Sequence, residues 1–226
     1  MHIKDVKLYT TDLAAQAAFY IDKLGLAPVH RAADQFTVTV GRSTLTLMAA
    51  ETAQIHHLAF DIPEHQFEAA LTWADERLTL MPYEGEKFID FSQTNWQAHS
   101  LYFEDAAGNV LEFIGRHRLP MPEAPTPFGI QNLQNISEVG LATDDLPGLV
   151  AQLQAKLDLP IFSGGPTGAF CALGDDHGLL ICVETGRPWL PTDNRLSAVH
   201  PVQMTIRGDA PATYSLEGHP YQITVS

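Results

Sequence analysis

The feature that most constrains the fold is a repeated order of secondary structure: a strand, a helix and then two or three short strands. In the first unit, residues 5–10 alternate in polarity, as expected of a half-buried strand. A helix is predicted from Asp12, a good N-cap, to Gly25, where its apolar stripe stops. Residues 36–40 and 45–48 are two β-rich runs separated by a hairpin turn.

The same order recurs immediately. Residues 57–62 form a second alternating run, Pro63 opens a second predicted helix, and residues 100–104 and 109–114 close the unit around a tight turn. A repeat of this kind decides the fold more strongly than any local feature. It predicts an α+β protein built from tandem βαβββ modules.

A third unit and a shorter fourth unit follow a proline-rich stretch. Residues 137–146 parallel residues 4–13, whereas the fourth unit, with predicted strands at 200–206 and 221–225, is too short for a helix and further strands. The prediction is therefore a complete domain over 1–118, a linker over 119–135 and an abbreviated second domain over 136–226, with its last module truncated. The linker prediction rests on four prolines: Pro120, Pro122, Pro125 and Pro127.

Composition excludes several classes of protein. The chain has 226 residues, of which 45% are hydrophobic and 18% charged, as in a globular protein. It has no apolar run near the ~20 residues of a bilayer span and no signal-peptide pattern. With only two cysteines, no disulfide framework is expected, and a cytoplasmic location is predicted. The turn centred on residue 176 predicts that Cys171 and Cys182 lie diagonally across a hairpin.

The charge balance narrows the possible partners. The formal net charge is −14, from 27 acidic and 13 basic residues, and the acidic excess is spread over both halves. Because nucleic acids and anionic membranes are bound mainly by Lys and Arg, neither is expected as a partner. A small molecule is the expected ligand, and the protein is expected to be a monomer or a homodimer.

Three segments resemble the vicinal oxygen chelate superfamily, which includes glyoxalases, bleomycin-resistance proteins and extradiol dioxygenases. They read DLAAQAAFYIDKLGL from Asp12, HLAFDI from His57 and LYFEDAAGNVLEF from Leu101. The resemblance covers 1–118 well and 136–226 with losses. It implies that two βαβββ modules curl into one cup of mixed sheet with a divalent metal on its floor.

The resemblance places the metal ligands at Asp5, His57 and Glu112. The strand pattern agrees for two of them, because Leu58, Phe60, Leu111 and Phe113 would pack beneath helices and leave His57 and Glu112 facing the cup. One imidazole and two carboxylates suit oxygen-preferring ions. Fe²⁺ or Mn²⁺ is therefore favoured, with Ni²⁺, Zn²⁺ or Mg²⁺ as alternatives.

Several other residues are candidates for the site. The resemblance implies that Tyr102 hydrogen-bonds the substrate oxygen, although a cross-strand aromatic contact would explain it as well. His99 is a candidate general base, or a histidine bonded to the backbone at the start of a strand. Trp96 is a candidate wall of a substrate pocket. Lys7 shares a strand face with Asp5 and is a candidate substrate-binding residue.

Three functions remain open at this point. The first is a metal-dependent enzyme acting on a small substrate with two adjacent oxygens, with ring-cleaving oxygenation slightly favoured over glyoxalase-type isomerase or lyase chemistry. The second is a metal-free binding protein similar to the bleomycin-resistance members, in which Lys7 neutralises the carboxylates. The third is a structural or regulatory protein with a defunct cup, since the second half lacks a helix and carries Gln222 where the first has Glu112.

Overall fold

The computed structural model describes residues 1–120, 123 and 126–226. Its strands are β1 (Ile3–Thr10), β2 (Pro28–Arg31), β3 (Gln35–Val40), β4 (Ser43–Ala49), β5 (His57–Ile62), β6 (Ile89–Asp90), β7 (Ala98–Glu104), β8 (Val110–Arg116), β9 (Asn135–Thr143), β10 (Ile161–Gly165), β11 (Phe170–Asp175), β12 (Gly178–Glu184), β13 (Val202–Ile206), β14 (Ala212–Ser215) and β15 (Tyr221–Val225). Its α-helices are α1 (Leu13–Ala17), α2 (Phe67–Asp75) and α3 (Leu146–Leu157). A π-helical segment (Ala18–Lys23) extends α1, and 3₁₀ turns cover Glu64–Gln66 and Ile130–Asn132.

The strands form two mixed sheets with few helices, which confirms the predicted α+β class and its curled sheets. One sheet has the order β14-β15-β13-β1-β4-β3-β2, and the other has the order β10-β11-β12-β9-β5-β8-β7-β6. In the described part of the fourth unit, β13, β14 and β15 occur without a helix, as its length predicts.

Strand pairing crosses the boundary that the sequence repeat suggests. β1 of the first unit runs antiparallel to β13 of the fourth, with Val6 opposite Met204. β5 of the second unit runs antiparallel to β9 of the third, with Leu58 opposite Val139. The prediction that residues 1–118 close a cup by themselves is therefore wrong: each sheet combines strands from both halves of the chain.

The predicted linker also differs from a simple spacer. Pro122 and Pro125 lie outside the described residues, but Phe128 and Leu133 are buried in the main apolar core. β9 begins at Asn135, the last predicted linker residue. The end of this segment is packed because it leads directly into a central strand of the larger sheet.

The two faces of the larger sheet are chemically different. Leu58, Phe60, Leu111 and Phe113 are fully buried in the main apolar core, as their alternation predicts. Their neighbours His57 and Glu112 point to the opposite, concave face. This alternation places the polar side chains of His57 and Glu112 on the concave face of the sheet.

The pairing of β11 with β12 differs from the register predicted for this hairpin. Asp175 pairs with Gly178, so the turn contains two residues and Cys171 lies directly opposite Cys182 rather than diagonally. Both cysteines are free and buried. None of the helices in the described ranges has the length and apolar character needed to cross a membrane.

Candidate metal centre and pocket

A pocket of about 230 Å³ opens on the concave face of the larger sheet. His57 of β5, Glu112 of β8 and Glu138 of β9 are its ionisable core. Aromatic and aliphatic side chains form most of the remaining wall, a usual composition for a small-molecule site. The wall includes Phe91, Trp96, Tyr102, Phe170, Arg187 and Trp189.

His57 is fixed so that one ring nitrogen faces the two carboxylates. Its Nδ1 lies 3.1 Å from the carbonyl oxygen of Val110. Because a carbonyl only accepts hydrogen bonds, Nδ1 carries the proton and Nε2 presents its lone pair. The ring stacks on Trp189 with centroids 5.3 Å apart and an interplanar angle of 25°.

The spacing of the three side chains fits a common cation. His57 Nε2 lies 3.6 Å from Oε2 of Glu112 and 3.6 Å from Oε2 of Glu138, too far for hydrogen bonds. Two ligands bound about 2.1 Å from one ion, at an angle of about 90–110°, lie about 3.0–3.4 Å apart. One donor atom from each side chain lies within 4.8 Å of the others, and all three residues are buried. The donor set therefore suits a divalent metal.

Electrostatics favour a positive charge among these groups. Burial raises the pKa of Glu112, and the negative charge of Glu138 raises it further. Burial alone would lower the pKa of His57, but the carboxylates of Glu138 and Glu112 outweigh burial and raise it. The site thus holds protons more tightly than isolated side chains do, and a metal ion would satisfy the same demand for positive charge.

Arg116 supports Glu138 from the side. The guanidinium is fully buried and forms a short ion pair with Oε1 of Glu138 through Nη2, while its Nε lies 3.5 Å from Oδ1 of Asp61. It also lies 5.6 Å from the ring centroid of Trp96. Arg116 therefore occupies one oxygen of Glu138 and leaves the other facing His57.

Two other predicted site residues line this pocket. Tyr102 lies opposite Glu112 on the adjacent strand. Burial, followed by the charges of Glu112 and Glu138, raises the pKa of Tyr102 well above its usual value, so the hydroxyl keeps its proton. Trp96 packs edge-on against Phe162, with centroids 5.2 Å apart.

Asp5 and Lys7 lie elsewhere. Both belong to β1 of the other sheet, between β13 and β4. Asp5 accepts a hydrogen bond of 2.7 Å from the hydroxyl of Thr44. The structure therefore does not bring Asp5 to His57 and Glu112, and it does not place Lys7 against Glu112, because β1 pairs with the fourth unit.

His99 faces the opposite side of β7 from Tyr102. Its ring packs on Phe67 of α2 with centroids 5.1 Å apart, and its Nδ1 lies 3.1 Å from Nε2 of His117. This position on the helix-covered face separates His99 from the pocket. It does not support His99 as a general base for chemistry in the cup.

Four residues of the pocket region were not among the predicted site residues. The sequence contains a signal for Glu138 but little for Arg116, Arg187 and Trp189. Glu138 occupies the repeat position equivalent to Asp5, so the correct pairing of units would have selected it. Arg116 ends β8 two residues after Ile114, on the face that points into the cup. Trp189 and Arg187 lie in an irregular loop after β12, where no periodicity indicates direction.

Comparison with known proteins gave structural matches only. Neither a scan of protein-family models nor a search of curated proteins found a significant match. A candidate dioxygenase from Bacillus subtilis aligns over 100% of this chain and 85% of its own, with 13% identity and a TM-score of 0.62. A glyoxalase I variant from Zea mays aligns over 99% of this chain and 93% of its own, with 12% identity and a TM-score of 0.56.

These matches define the class of architecture: a chain of repeated βαβββ modules that curl into mixed sheets. The chain has the fold of these dioxygenase-like and glyoxalase structures, which is the fold that the sequence resemblance predicts. At this level of identity the likeness establishes the fold, and the activity must be argued from the pocket.

Proposed function

We propose that the protein is a metal-dependent enzyme of the glyoxalase or extradiol-dioxygenase type, with His57, Glu112 and Glu138 as the metal ligands. The observation that carries the proposal is the convergence of these three buried side chains around one point on the concave face. Glu138 takes the role first expected of Asp5. The donor set remains one imidazole and two carboxylates, so Fe²⁺ and Mn²⁺ remain the favoured ions.

When bound, a divalent ion supplies the positive charge that holds two adjacent oxygens of a small substrate. The chain's own groups prepare the rest of the site. Val110 fixes the tautomer of His57, and Arg116 orients Glu138. Tyr102 keeps a proton to donate to a substrate oxygen, which favours oxygenation, and the aromatic wall excludes water.

A metal-free binding protein is the second candidate, and one observation favours it. Arg116 already neutralises Glu138, and a protonated His57 would neutralise Glu112. The pocket would then bind a small molecule without an ion. In that case Arg116, rather than Lys7, supplies the compensating charge.

The two candidates differ in metal binding. We expect Mn²⁺ or Fe²⁺, the latter under anaerobic conditions, to bind the wild-type protein and raise its melting temperature, since a ligand of the folded state stabilises it. Glu138→Gln should weaken the binding at least about 10-fold, because it removes a charged ligand. Isothermal titration calorimetry measures the affinity.

Asp5→Asn is the matched control, because it also converts one carboxylate to an amide but lies in the other sheet. We expect it to bind metal as the wild type does. Loss of binding in Asp5→Asn but not in Glu138→Gln would restore the first ligand assignment. No binding of Mn²⁺, Fe²⁺, Ni²⁺ or Zn²⁺ to the wild type would leave only the metal-free candidate.

A further inference from the structure

One arginine of the pocket has no carboxylate partner within the described part of the chain. Arg187 follows β12, and its guanidinium lies 5.3 Å from the ring centroid of Phe170. Among the residues that the structure describes, it forms no ion pair, and its hydrogen bonding is limited to a contact of 3.4 Å from Nη1 to the carbonyl of Pro188. Most of its N–H groups are therefore available to a ligand.

The absence of a counter-ion among the described residues matters because the side chain of Arg187 is partly removed from water. With 27 acidic residues against 13 basic ones, carboxylates are plentiful, and Arg116, Arg118 and Arg195 each pair with one. Arg187 is half-buried instead, and burial lowers its pKa. A cation partly removed from water without a counter-ion is costly unless a ligand supplies the opposite charge.

The surroundings of Arg187 indicate which anion would fit. Its planar fork lies over an aromatic ring, which leaves the N–H groups directed along the plane, where they match a planar carboxylate. Phe91, Trp96 and Trp189 offer apolar area beside it. The volume of about 230 Å³ is below the usual range of about 300–1,000 Å³ for ligand pockets, so the ligand is small.

We infer that Arg187 binds a carboxylate of the substrate, which is therefore a small, largely apolar acid. The inference rests on the proposed function only for the pair of adjacent oxygens at the metal. Arg187 recognises a different part of the molecule. It thus selects the substrate by charge, whereas the three buried ligands select it by chelation.

A matched pair of ligands tests this assignment. 3,4-Dihydroxybenzoate and 3,4-dihydroxybenzamide share the adjacent oxygens and the ring but differ in charge. With Mn²⁺ present, we expect the acid to bind the wild type about 10-fold or more tightly than the amide, as a charged hydrogen-bonded pair allows. Arg187→Gln should abolish this preference, and Arg187→Lys should keep only part of it.

Arg207→Gln is the control, since it removes the same charge at an exposed position beyond β13, and it should retain the preference. Benzoate and benzamide repeat the comparison without adjacent oxygens. If benzoate binds more tightly than benzamide and this preference requires Arg187, the carboxylate site is supported even if neither dihydroxy compound binds. In that case only the proposed chelation of adjacent oxygens by the metal is contradicted. Equal binding of acid and amide, or a preference that survives in Arg187→Gln, would overturn the inference, as would no binding of any of the four compounds.

A separate group of metal-ligand side chains lies on the helix-covered face of the larger sheet. His99 Nδ1 and His117 Nε2 are 3.1 Å apart, and Oε1 of Glu64 lies 3.9 Å and 3.6 Å from these two atoms. On its other side, His99 Nε2 lies 3.5 Å from Oδ1 of Asp90. A carboxylate in that position keeps the proton on Nε2, so the Nδ1 lone pair faces His117 and Glu64.

The geometry points to a second metal site formed by Glu64, His99 and His117, independent of the cup. Two imidazoles and one carboxylate suit Zn²⁺. Phe67 and Phe88 pack against the ring of His99 and restrict its orientation. The competing arrangement is a simple hydrogen bond between the two histidines without any metal.

Zn²⁺ stoichiometry distinguishes the two arrangements. In the Glu138→Gln background, where the cup is impaired, we expect equilibrium dialysis with elemental analysis to find one bound Zn²⁺. The further change His117→Gln should abolish that binding, whereas His65→Gln, at an exposed position in the adjacent turn, should not. Equal Zn²⁺ content in the Glu138→Gln protein and in the double variant that also carries His117→Gln would overturn the proposal of a second site.

Discussion

At the residue scale, the concave face depends on a glycine that leaves room for an aromatic ring. A Cβ added at Gly140 of β9 would lie 2.6 Å from Cη2 of Trp189 and 3.1 Å from Cβ of His57. Trp189 is buried and stacks on His57, so it has little space to withdraw. Gly140 thus permits the close packing that holds the imidazole in place.

Gly140→Ala should therefore lower both stability and metal affinity. Overpacking of this kind costs about 1–3 kcal/mol of unfolding free energy, and displacement of Trp189 should shift the tryptophan fluorescence. Urea denaturation and Mn²⁺ titration measure the two effects. Gly165→Ala, where a Cβ meets nothing within 4 Å, is the control and should change neither; equal effects of the two changes would contradict the packing argument.

The sequence predicts the position of a site residue only where the alternation of a strand indicates which face its side chain points to. The large apolar neighbours of His57 and Glu112 on their strands predict that both side chains face the cup. Trp189 and Arg187 lie in a loop without periodicity, so their direction depends on tertiary packing. Alternation along β7 predicts that His99 and Tyr102 point to opposite faces of the sheet. It does not predict which of these two faces carries the pocket.

At the element scale, the clearest trace of the repeat is a pair of matching helix caps. Asp12 accepts a hydrogen bond from the backbone of Ala15 at 2.9 Å, and Asp145 accepts one from Gly148 at 3.0 Å. Their backbone angles are nearly equal, with φ −133° at both and ψ 84° and 80°. This equivalence was readable from sequence because N-capping is local.

Asp145→Ala should destabilise the protein by about 1 kcal/mol, since the N-terminal amides of α3 lose their side-chain acceptor. Chemical denaturation at neutral pH measures the change. Asp144→Ala removes the same charge from the exposed preceding residue and should be nearly neutral. Equal destabilisation by the two would mean that charge, rather than the capping hydrogen bond, matters.

A histidine pair between elements predicts a pH dependence. His56 precedes β5 and His200 precedes β13, with ring centroids 5.6 Å apart. Burial lowers the pKa of both, that of His56 to about 3. Below pH 6.5 these two side chains therefore bind more protons in the unfolded chain than in the folded one, and their contribution to stability falls as pH decreases, by at most about 1.4 kcal/mol per pH unit for each group.

His200→Gln should reduce this loss of stability between pH 7 and pH 5. The comparison requires unfolding free energies of both proteins at the two pH values. His30→Gln, at an exposed position, should leave the slope unchanged. A slope that is the same in His200→Gln and the wild type would show that the pKa of His200 is not depressed in the folded protein.

At the scale of the whole molecule, the repeat predicted the modules but not their partners. Each module presents sheet edges that can pair within 1–118 or with the later modules, and local patterns are identical in both cases. The observed pairs, β1 with β13 and β5 with β9, depend on long-range packing. The error over Asp5 followed directly from this ambiguity.

The topology predicts that residues 1–118 do not form a stable monomer alone. β1 and β5 would each lose an antiparallel neighbour, which exposes buried strand edges. Circular dichroism and denaturation of the 1–118 fragment should show no cooperative monomeric unfolding, and mixing it with residues 119–226 should restore the fold. A cooperatively folded 1–118 monomer would instead support the domain division first drawn from the sequence.

The position of Glu138 after the proline-rich segment has a consequence for synthesis on the ribosome. His57 and Glu112 leave the ribosome first, but the third proposed ligand arrives only with β9. A nascent chain that has reached the end of β8 therefore carries two of the three proposed ligands and no complete site. Metal would be captured late, after the second half has begun to emerge, and a ribosome stalled between the halves would carry a chain that binds the ion weakly.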